Sequence, residues 1–303
     1  MLHSRERLFS QITPGNDRIL DMPIQYLWLL PLGLVIGAFG TLIGAGGGFI
    51  LVPVLLLVYP QEKTELITTI SLAVVFFNAL SGSAAYARMK RIDYKSGAIF
   101  AVATVPGAIL GAISTAYLRR GVFDLIFGIL MIVAGIYLWF SHKDEPSMTP
   151  QHDASVASSS RRLFWIKRDL VDADGVRYHY EFNPSVGIVL SVFVGFVSSL
   201  LGVGGGFIHV PILVRLLNFP VHIATATSHF VLAIMALTGT LVHVAQGVFV
   251  QGVRRTILLS IGVVVGAQFG AMLSNRVGGK LIIRGLAVAL AFVGFRLIVS
   301  QLR

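Results

Sequence analysis

Two nearly identical glycine-rich stretches constrain this chain more than any other feature. GAGGGFILVP occupies residues 44–53 and GVGGGFIHVP occupies residues 202–211, and eight of the ten positions are the same. An internal repeat of this kind predicts a fold built from two related halves. Three consecutive glycines are a poor helix interior, since each costs about 1 kcal/mol relative to alanine. The stretches therefore predict helix breaks at which backbone N–H groups are left free.

The composition around these stretches is that of a membrane protein. Hydrophobic residues make up 55% of the 303 positions, charged residues make up 13%, and the mean hydropathy is +0.81. A soluble domain of this length is much more polar. Irregular backbone inside a membrane protein is tolerated only where it is buried in protein or lines a cavity. The glycine breaks are therefore the predicted working site.

Cysteine content and net charge exclude several classes of function. The chain has no cysteine, which excludes disulfides, cysteine metal sites and thiol chemistry. Its formal net charge of +10 could indicate nucleic-acid binding, but loop lysines and arginines on the cytoplasmic side explain such a charge better in a multi-pass protein. We expect no nucleic-acid partner, no metal and no cofactor.

The spacing of the apolar segments predicts an all-α membrane protein of about eight transmembrane helices in two four-helix repeats. Residues 24–140 form the first repeat and 184–303 the second, with each glycine-broken pair of segments counted as one crossing. This count puts sixteen basic residues inside and seven outside, which predicts that the N-terminal segment 1–23 and the C-terminus are cytoplasmic. Five segments per half would relate the halves as inverted instead of parallel repeats, and the sequence leaves that alternative open.

One polar interruption separates the two halves. Residues 141–183 form a predicted cytoplasmic linker, and its second part has aromatic and β-branched runs on both sides of Asp174 and Gly175. An Asp-Gly pair between such runs is a strong hairpin signal. We expect a small β-hairpin at about 164–182.

The distribution of acidic residues favours an anionic substrate. No aspartate or glutamate occurs from Phe182 to Arg303, a stretch that holds eight basic residues. Cation transporters and proton pumps usually rely on carboxylates inside the membrane. An anion path needs only oriented donors, and the N–H groups at helix N-termini supply them without burying a charged side chain.

The substrate-binding residues proposed from this pattern are the two glycine triplets and nearby polar side chains. Hydroxyl and amide donors suit small oxyanions, although each hydroxyl could equally serve helix packing. The candidates are Gly46, Gly47, Gly48, Gly204, Gly205, Gly206, Thr69, Ser71, Thr227, Ser228 and Gln268. His209 and His229 are candidates for proton coupling, with neutral packing histidines as the alternative.

Two other functions compete with an anion transporter. One is a membrane-embedded enzyme that uses the histidines of the second half, although no nearby carboxylate orients them. The other is a passive anion channel. The sequence is also compatible with a homodimer.

The doubled motif resembles one known family. Each GxGGGF-I-x-V-P stretch is followed by a T-x-S or A-T-S segment and later by a G-A-x-x-G-A helix, a combination similar to the TauE/SafE-type sulfite exporters. The resemblance covers both apolar halves, while the 141–183 insert departs from the usual short connection. It implies a secondary transporter of the bacterial inner membrane that moves sulfite or a related organosulfur anion. It fixes neither the substrate nor the direction of transport.

Overall fold

The structure, a computed structural model, describes residues 26–140, 165–274 and eight positions between 287 and 299. The predicted segment 1–23 and most of the linker lie outside these ranges. The elements in chain order are α1 (Leu29–Ile43), α2 (Gly48–Val58), α3 (Thr64–Arg88), α4 (Tyr94–Thr115), α5 (Arg120–Phe140), β1 (Ile166–Val171), β2 (Arg177–Phe182), α6 (Pro184–Leu201), α7 (Gly206–Arg215), α8 (Val221–Ala245) and α9 (Val253–Leu273). The predominance of helix is as predicted.

Among the described residues, five helical stretches are long and apolar enough to cross a membrane. They are Thr64–Arg88, Tyr94–Thr115, Pro184–Leu201, Val221–Ala245 and Phe249–Leu273. The apolar helices α1, α2 and α7 are shorter. At 1.5 Å per residue, α2 and α7 are about 15–17 Å long, which is roughly half of the hydrocarbon thickness. The chain is a multi-pass membrane protein, but a count of eight crossings is not confirmed.

The predicted β-hairpin is present. Strands β1 and β2 pair in antiparallel register, with Ile166 opposite Phe182. The turn forms because the Asp172 carboxylate accepts hydrogen bonds from the N–H groups of Asp174 and Val176, each at 3.0 Å. Gly175 supplies the positive φ of 81° that the turn requires.

The first glycine stretch breaks the helix as predicted. Helix α1 ends at Ile43, and Gly44, Gly46 and Gly47 have φ values of 82°, 76° and 81° before α2 begins. The chain then folds back. A Cβ on Gly47 would lie 2.9 Å from the carbonyl oxygen of Ile36, whereas eleven residues of continuous helix would separate these positions by about 16 Å.

The second stretch repeats this geometry. Gly202 and Gly204 have positive φ values between α6 and α7, and Gly205 lies against Val194 and Ser198 of α6. We call α1 with α2 the first broken pair, and α6 with α7 the second broken pair. In each pair, the short helix returns toward the end of the molecule from which the long helix came.

Small residues hold the long helices close together. A Cβ added to Gly107 or Gly111 of α4 would overlap a backbone carbonyl of α6, and one added to Gly266 of α9 would overlap the carbonyl of Leu34 in α1. Helices in a membrane approach closely where small residues face each other. The repeated G-A-x-x-G-A segments therefore serve packing, and they pair α4 with α6 and α9 with α1.

Polar contacts show which loops share an end of the molecule. At one end, the Ala173 N–H of the β-hairpin donates to the Met89 carbonyl (3.0 Å), and Tyr180 packs against Phe219 (ring centroids 4.5 Å apart). We call this the hairpin end. At the opposite end, Arg255 forms a 2.8 Å ion pair with Glu62. Helix α3 therefore begins at the opposite end and finishes at the hairpin end. Helix α8, which begins just after Phe219, runs in the reverse direction.

These contacts bear on the predicted topology. Four crossings per half would make α3 and its sequence counterpart α8 point the same way, and their directions are opposite. The physical reason is the fold-back at the glycines, because a broken pair that returns to its own end adds no crossing. Tyr26, immediately before α1, interacts with Arg255 at the opposite end. The start of α1 and the β-hairpin therefore lie at opposite ends of the molecule. Both were predicted to be cytoplasmic, and the two predictions exclude each other.

Candidate functional site

The two glycine breaks lie in direct contact near the centre of the fold. A Cβ on Gly48 would overlap the carbonyl group of Val203, and a Cβ on Gly206 would overlap the carbonyl of Gly44 and come within 2.7 Å of Ala45 Cα. Only glycine allows this approach of backbone to backbone. The contact leaves no space between the breaks for a ligand.

A second layer of contacts is matched in the two halves. Gly46 and Gly204 both lie against Val75 of α3 and Leu232 of α8. Gly44 packs on Thr225 of α8, and Gly202 packs on Thr68 of α3. The breaks are thus held by equivalent residues of the two central helices.

A small cavity opens on one side of this contact, at the start of α7. Its lining residues come from α4, α6, the second break, α7 and α8, and they are Thr104, Val194, Gly205, Gly206, His209, Ser228, Val231, Leu232 and Met235. The cavity has room for about one water molecule. None of these lining residues is charged.

The backbone donors at the start of α7 lie beside this cavity and have no partners within the helix. The first hydrogen bonds within α7 are donated by the N–H groups of Ile208 and His209, both to the Gly205 carbonyl. The preceding N–H groups of a helix have no acceptor inside it, and α7 has no side-chain N-cap among the described residues. The helix dipole adds positive potential at this point.

Two polar side chains complete the cavity wall. The Ser228 hydroxyl is fully buried and has no hydrogen-bond partner among the described residues. His209 is also buried; its Nε2 lies 3.5 Å from the Ser191 hydroxyl, and its Nδ1 has no partner within the described part of the chain. A buried polar group without a partner is costly, which is typical of a position that receives a ligand or water. The third polar residue, Thr104, donates to the Ala101 carbonyl at 2.7 Å.

The remaining polar candidates are engaged in structural bonds. Thr69 donates to the Glu65 carbonyl (2.6 Å), Ser71 donates to the Gly202 carbonyl (2.6 Å), and Thr227 accepts from the Asp93 N–H (3.0 Å). Gln268 donates to the carbonyl and hydroxyl oxygens of Ser81 at 2.8 and 2.7 Å. Of the polar side chains proposed for substrate binding, only Ser228 lines the cavity.

His229 of α8 lies in a separate polar cluster, whose other residues come from the first half. Its Nε2 is 3.3 Å from the Thr41 hydroxyl, and its ring packs edge-on against Tyr86. Thr41 also donates to Asn78, and Tyr86 donates to the Thr41 carbonyl. The structure thus separates the two histidines that the sequence grouped together.

Thr104, Val194 and Met235 line the cavity and were not among the predicted site residues. Thr104 has a sequence signal, since it is a hydroxyl two residues before the P-G-A-I-L-G-A segment of α4. Val194 and Met235 have none, because apolar residues on a membrane helix look the same whether they face a cavity, lipid or another helix.

Comparisons with known proteins agree with this architecture. The family model for the sulfite exporter TauE/SafE matches residues 29–297. The chain belongs to the TauE/SafE family. A probable membrane transporter protein of Bacillus subtilis is 31% identical to this family member over 285 residues, which cover 91% of the chain and 98% of the relative. One from Methanocaldococcus jannaschii is 23% identical over 278 residues, covering 86% and 92%. No solved structure matches.

Proposed function

We propose that this TauE/SafE family member is a secondary transporter of small anions, with sulfite or a related organosulfur anion as its substrate. The observation that carries the proposal is the uncharged cavity at the start of α7, where the first N–H groups of the helix lack acceptors within the helix, and the Ser228 hydroxyl and His209 Nδ1 have no hydrogen-bond partner among the described residues. An anion accepts hydrogen bonds from all of these groups. Carboxylates, which would repel it, are absent from the lining.

The present cavity represents a closed state of the site. Sulfite has four heavy atoms, so a space for about one water molecule must enlarge before sulfite can bind. Secondary transporters commonly place the site where discontinuous helices of two inverted repeats meet, and the repeats then move against each other. The opposite directions of α3 and α8, and the two broken pairs that enter from opposite ends, support this arrangement here.

His209 is the proposed point of proton coupling. When protonated, its imidazolium adds a positive charge beside the bound anion, and loss of the proton weakens that attraction. His229 lies outside the cavity lining and is therefore the weaker candidate for proton coupling. Gly48 packs on the second break at Val203, while Gly46, Gly47 and Gly204 pack on residues of the surrounding helices. Gly205 and Gly206 line the site.

The hairpin end is the proposed cytoplasmic face. It carries four basic residues in or beside the α3–α4 loop (Arg88, Lys90, Arg91 and Lys95), three in the β-hairpin strands and Arg215, against five described at the opposite end (Lys63, Arg119, Arg120, Arg254 and Arg255). The excess is in the direction of the positive-inside rule for a bacterial inner membrane.

Reconstitution into liposomes tests the function. We expect saturable uptake of labelled sulfite that responds to a proton gradient, and Ser228→Ala and His209→Leu to lower it. His209→Leu installs the residue found at the matching position of the first half, Leu51. Uptake that does not saturate would indicate a channel, and chemical turnover without uptake would indicate an enzyme. Either result contradicts the proposal.

A further inference from the structure

We propose that the β-hairpin is the gate of the cavity on the hairpin end, and that it must lift from the membrane helices before an anion passes that end. This inference builds on the proposed function, because it assigns a moving part to the same site. It follows from how the β-hairpin is attached and from what lies between it and His209.

A cluster of aromatic rings separates the β-hairpin from the cavity. Phe100 of α4, Phe182 of β2 and Phe219 of the α7–α8 loop are buried and in mutual contact, with ring centroids 5.1–6.3 Å apart. Phe100 also contacts His209 edge-on, at 6.1 Å. This cluster closes the route from the hairpin end to the histidine.

Only part of this cluster can be withdrawn at low cost. Phe100 belongs to a 22-residue apolar helix, so its backbone cannot move away without the rest of α4. Phe182 and its neighbour Tyr180 belong to a two-stranded hairpin whose strand-to-strand hydrogen bonds are internal to it. The β-hairpin can therefore leave as a unit and take two of the aromatic rings with it.

Most of the polar contacts that hold the β-hairpin against the helices come from one short region, residues 89–96; Asn218 adds a longer one of 3.5 Å to the Glu181 carbonyl. Asp172 pairs with the buried Arg91 at 3.3 Å, and Arg168 pairs with Asp93 at 3.4 Å. The Tyr180 hydroxyl also donates to Asp93, at 2.8 Å. Such contacts give a defined closed position that a modest change at residues 89–96 can release.

Asp93 links this attachment to the cavity. Its carboxylate caps the N-terminus of α4 by accepting from the Ser96 N–H, and its own N–H donates to Thr227. Thr227 directly precedes Ser228 in α8, and Ser228 lines the cavity. A shift of Ser228 on anion binding is therefore transmitted through Thr227 to the residue that anchors Tyr180 and Arg168.

Thiol labelling tests the gate without requiring a known substrate. Met235→Cys places a single thiol in the cavity of a chain that has no other cysteine. Sealed vesicles that present the hairpin end are identified by labelling of Asp174→Cys, whose side chain is exposed in the turn. An impermeant reagent is then added to vesicles carrying Met235→Cys alone or with a second substitution.

We expect Arg91→Gln to raise the labelling rate of Met235→Cys from the hairpin end by about tenfold or more, because it breaks a buried ion pair that anchors the β-hairpin. Lys167→Gln is the matched control, since it removes an exposed ion pair to Glu181 that lies within the β-hairpin and anchors nothing. Equal labelling in Arg91→Gln and the parent, or an equal rise in Lys167→Gln, overturns the gate.

A covalent lock tests the same idea from the closed side. The Ala173 N–H donates to the Met89 carbonyl, so cysteines introduced at these two positions can be joined by a short thioether cross-linker, which sulfite does not cleave as it would a disulfide. The cross-linked Met89→Cys/Ala173→Cys protein should bind sulfite in detergent but lose uptake, whereas the same variant before cross-linking should retain uptake. Full uptake by the cross-linked protein overturns the gate. Absence of sulfite binding in the unmodified protein contradicts the proposed function instead, and leaves the labelling result standing.

Discussion

The two broken pairs have almost the same glycine sequence but different surroundings. At the second break, α7 begins beside a cavity lined by a histidine and by a serine that has no partner among the described residues. At the first break, Leu51 stands in place of that histidine, and Ser71 donates its hydroxyl to the Gly202 carbonyl. The shared glycines therefore build the contact between the halves, while the residues that differ create the site.

The largest expected effect tests the part that the two breaks share. Gly48→Ala and Gly206→Ala should each destabilise the protein by about 3 kcal/mol or more, because the added methyl group meets backbone instead of a movable side chain. Thermal unfolding in detergent measures this. Gly247→Ala is the control: Gly247 has a positive φ of 77° that disfavours alanine, which Gly48 and Gly206 do not have, but no described atom lies within 4 Å of the added methyl group. A loss no larger than that of the control would show that the halves do not need this close contact.

The next prediction tests the residues that differ in their surroundings between the two breaks. Ser228→Ala should lower anion affinity by at least about tenfold and leave the melting temperature nearly unchanged, because a hydrogen bond to a charged ligand is lost and no protein bond is broken. Ser71→Ala, at the matching position, should cost about 1–2 kcal/mol of stability by leaving the buried Gly202 carbonyl without its donor.

Calorimetric titration with sulfite, beside thermal unfolding of the same samples, separates the two serines. Equal losses of affinity in Ser228→Ala and Ser71→Ala would argue for one symmetric site shared by both breaks. That result would favour the arrangement suggested by the duplicated sequence over the one-sided cavity.

A smaller difference is expected between the middle glycines. Gly47 has a φ of 81° and faces the Ile36 carbonyl, whereas Gly205 has a helical φ of −57° and faces the side chains of Val194 and Ser198. Alanine should therefore cost about 1–2 kcal/mol more at position 47 than at position 205. Urea or thermal unfolding of the two variants checks the order. The reverse order would mean that Gly205 also adopts a left-handed conformation.

The sequence predicted the helix breaks, the β-hairpin and the membrane setting because each has a local signal. Glycine triplets, an Asp-Gly turn and runs of apolar residues act through neighbours in the chain. The direction of the chain after Gly44 depends instead on a long-range contact between Gly47 and Ile36, and no local pattern encodes it. The predicted number of membrane crossings and the predicted side of the N-terminus both depended on the direction of the chain after Gly44.

The candidate site also contains features that the sequence predicted and features that only the three-dimensional structure decides. Ser228 and His209 stood out as polar residues in apolar segments, and both line the cavity. Thr69, Ser71, Thr227 and Gln268 stood out equally, yet they bond to Glu65, Gly202, Asp93 and Ser81, and none of them lines the cavity. Whether a hydroxyl serves a ligand or the fold is decided by its three-dimensional neighbours, which the sequence does not show.

The last and smallest expected effect is the pH dependence of β-hairpin docking at the hairpin end. Burial alone would raise the pKa of Asp172, but hydrogen bonds from Val176, Tyr178 and Asp174 and the charge of Arg91 outweigh it and hold the pKa below the ordinary value of 3.8. A carboxylate whose pKa is lower in the folded state stabilises the fold above its unfolded pKa, and this contribution is lost as the pH falls through the folded pKa. The β-hairpin should therefore stay docked between pH 7 and pH 5, and be released only below about pH 4.

Hydrogen exchange of the β1 and β2 amides measures this docking directly. Protection that is constant from pH 7 to pH 5 assigns any pH dependence of transport in that range to a group other than Asp172, such as His209 at the cavity. Loss of protection between pH 6 and pH 5 would instead put a pH sensor in the attachment of the β-hairpin. The gate and the proton-coupling residue would then be one system and not two.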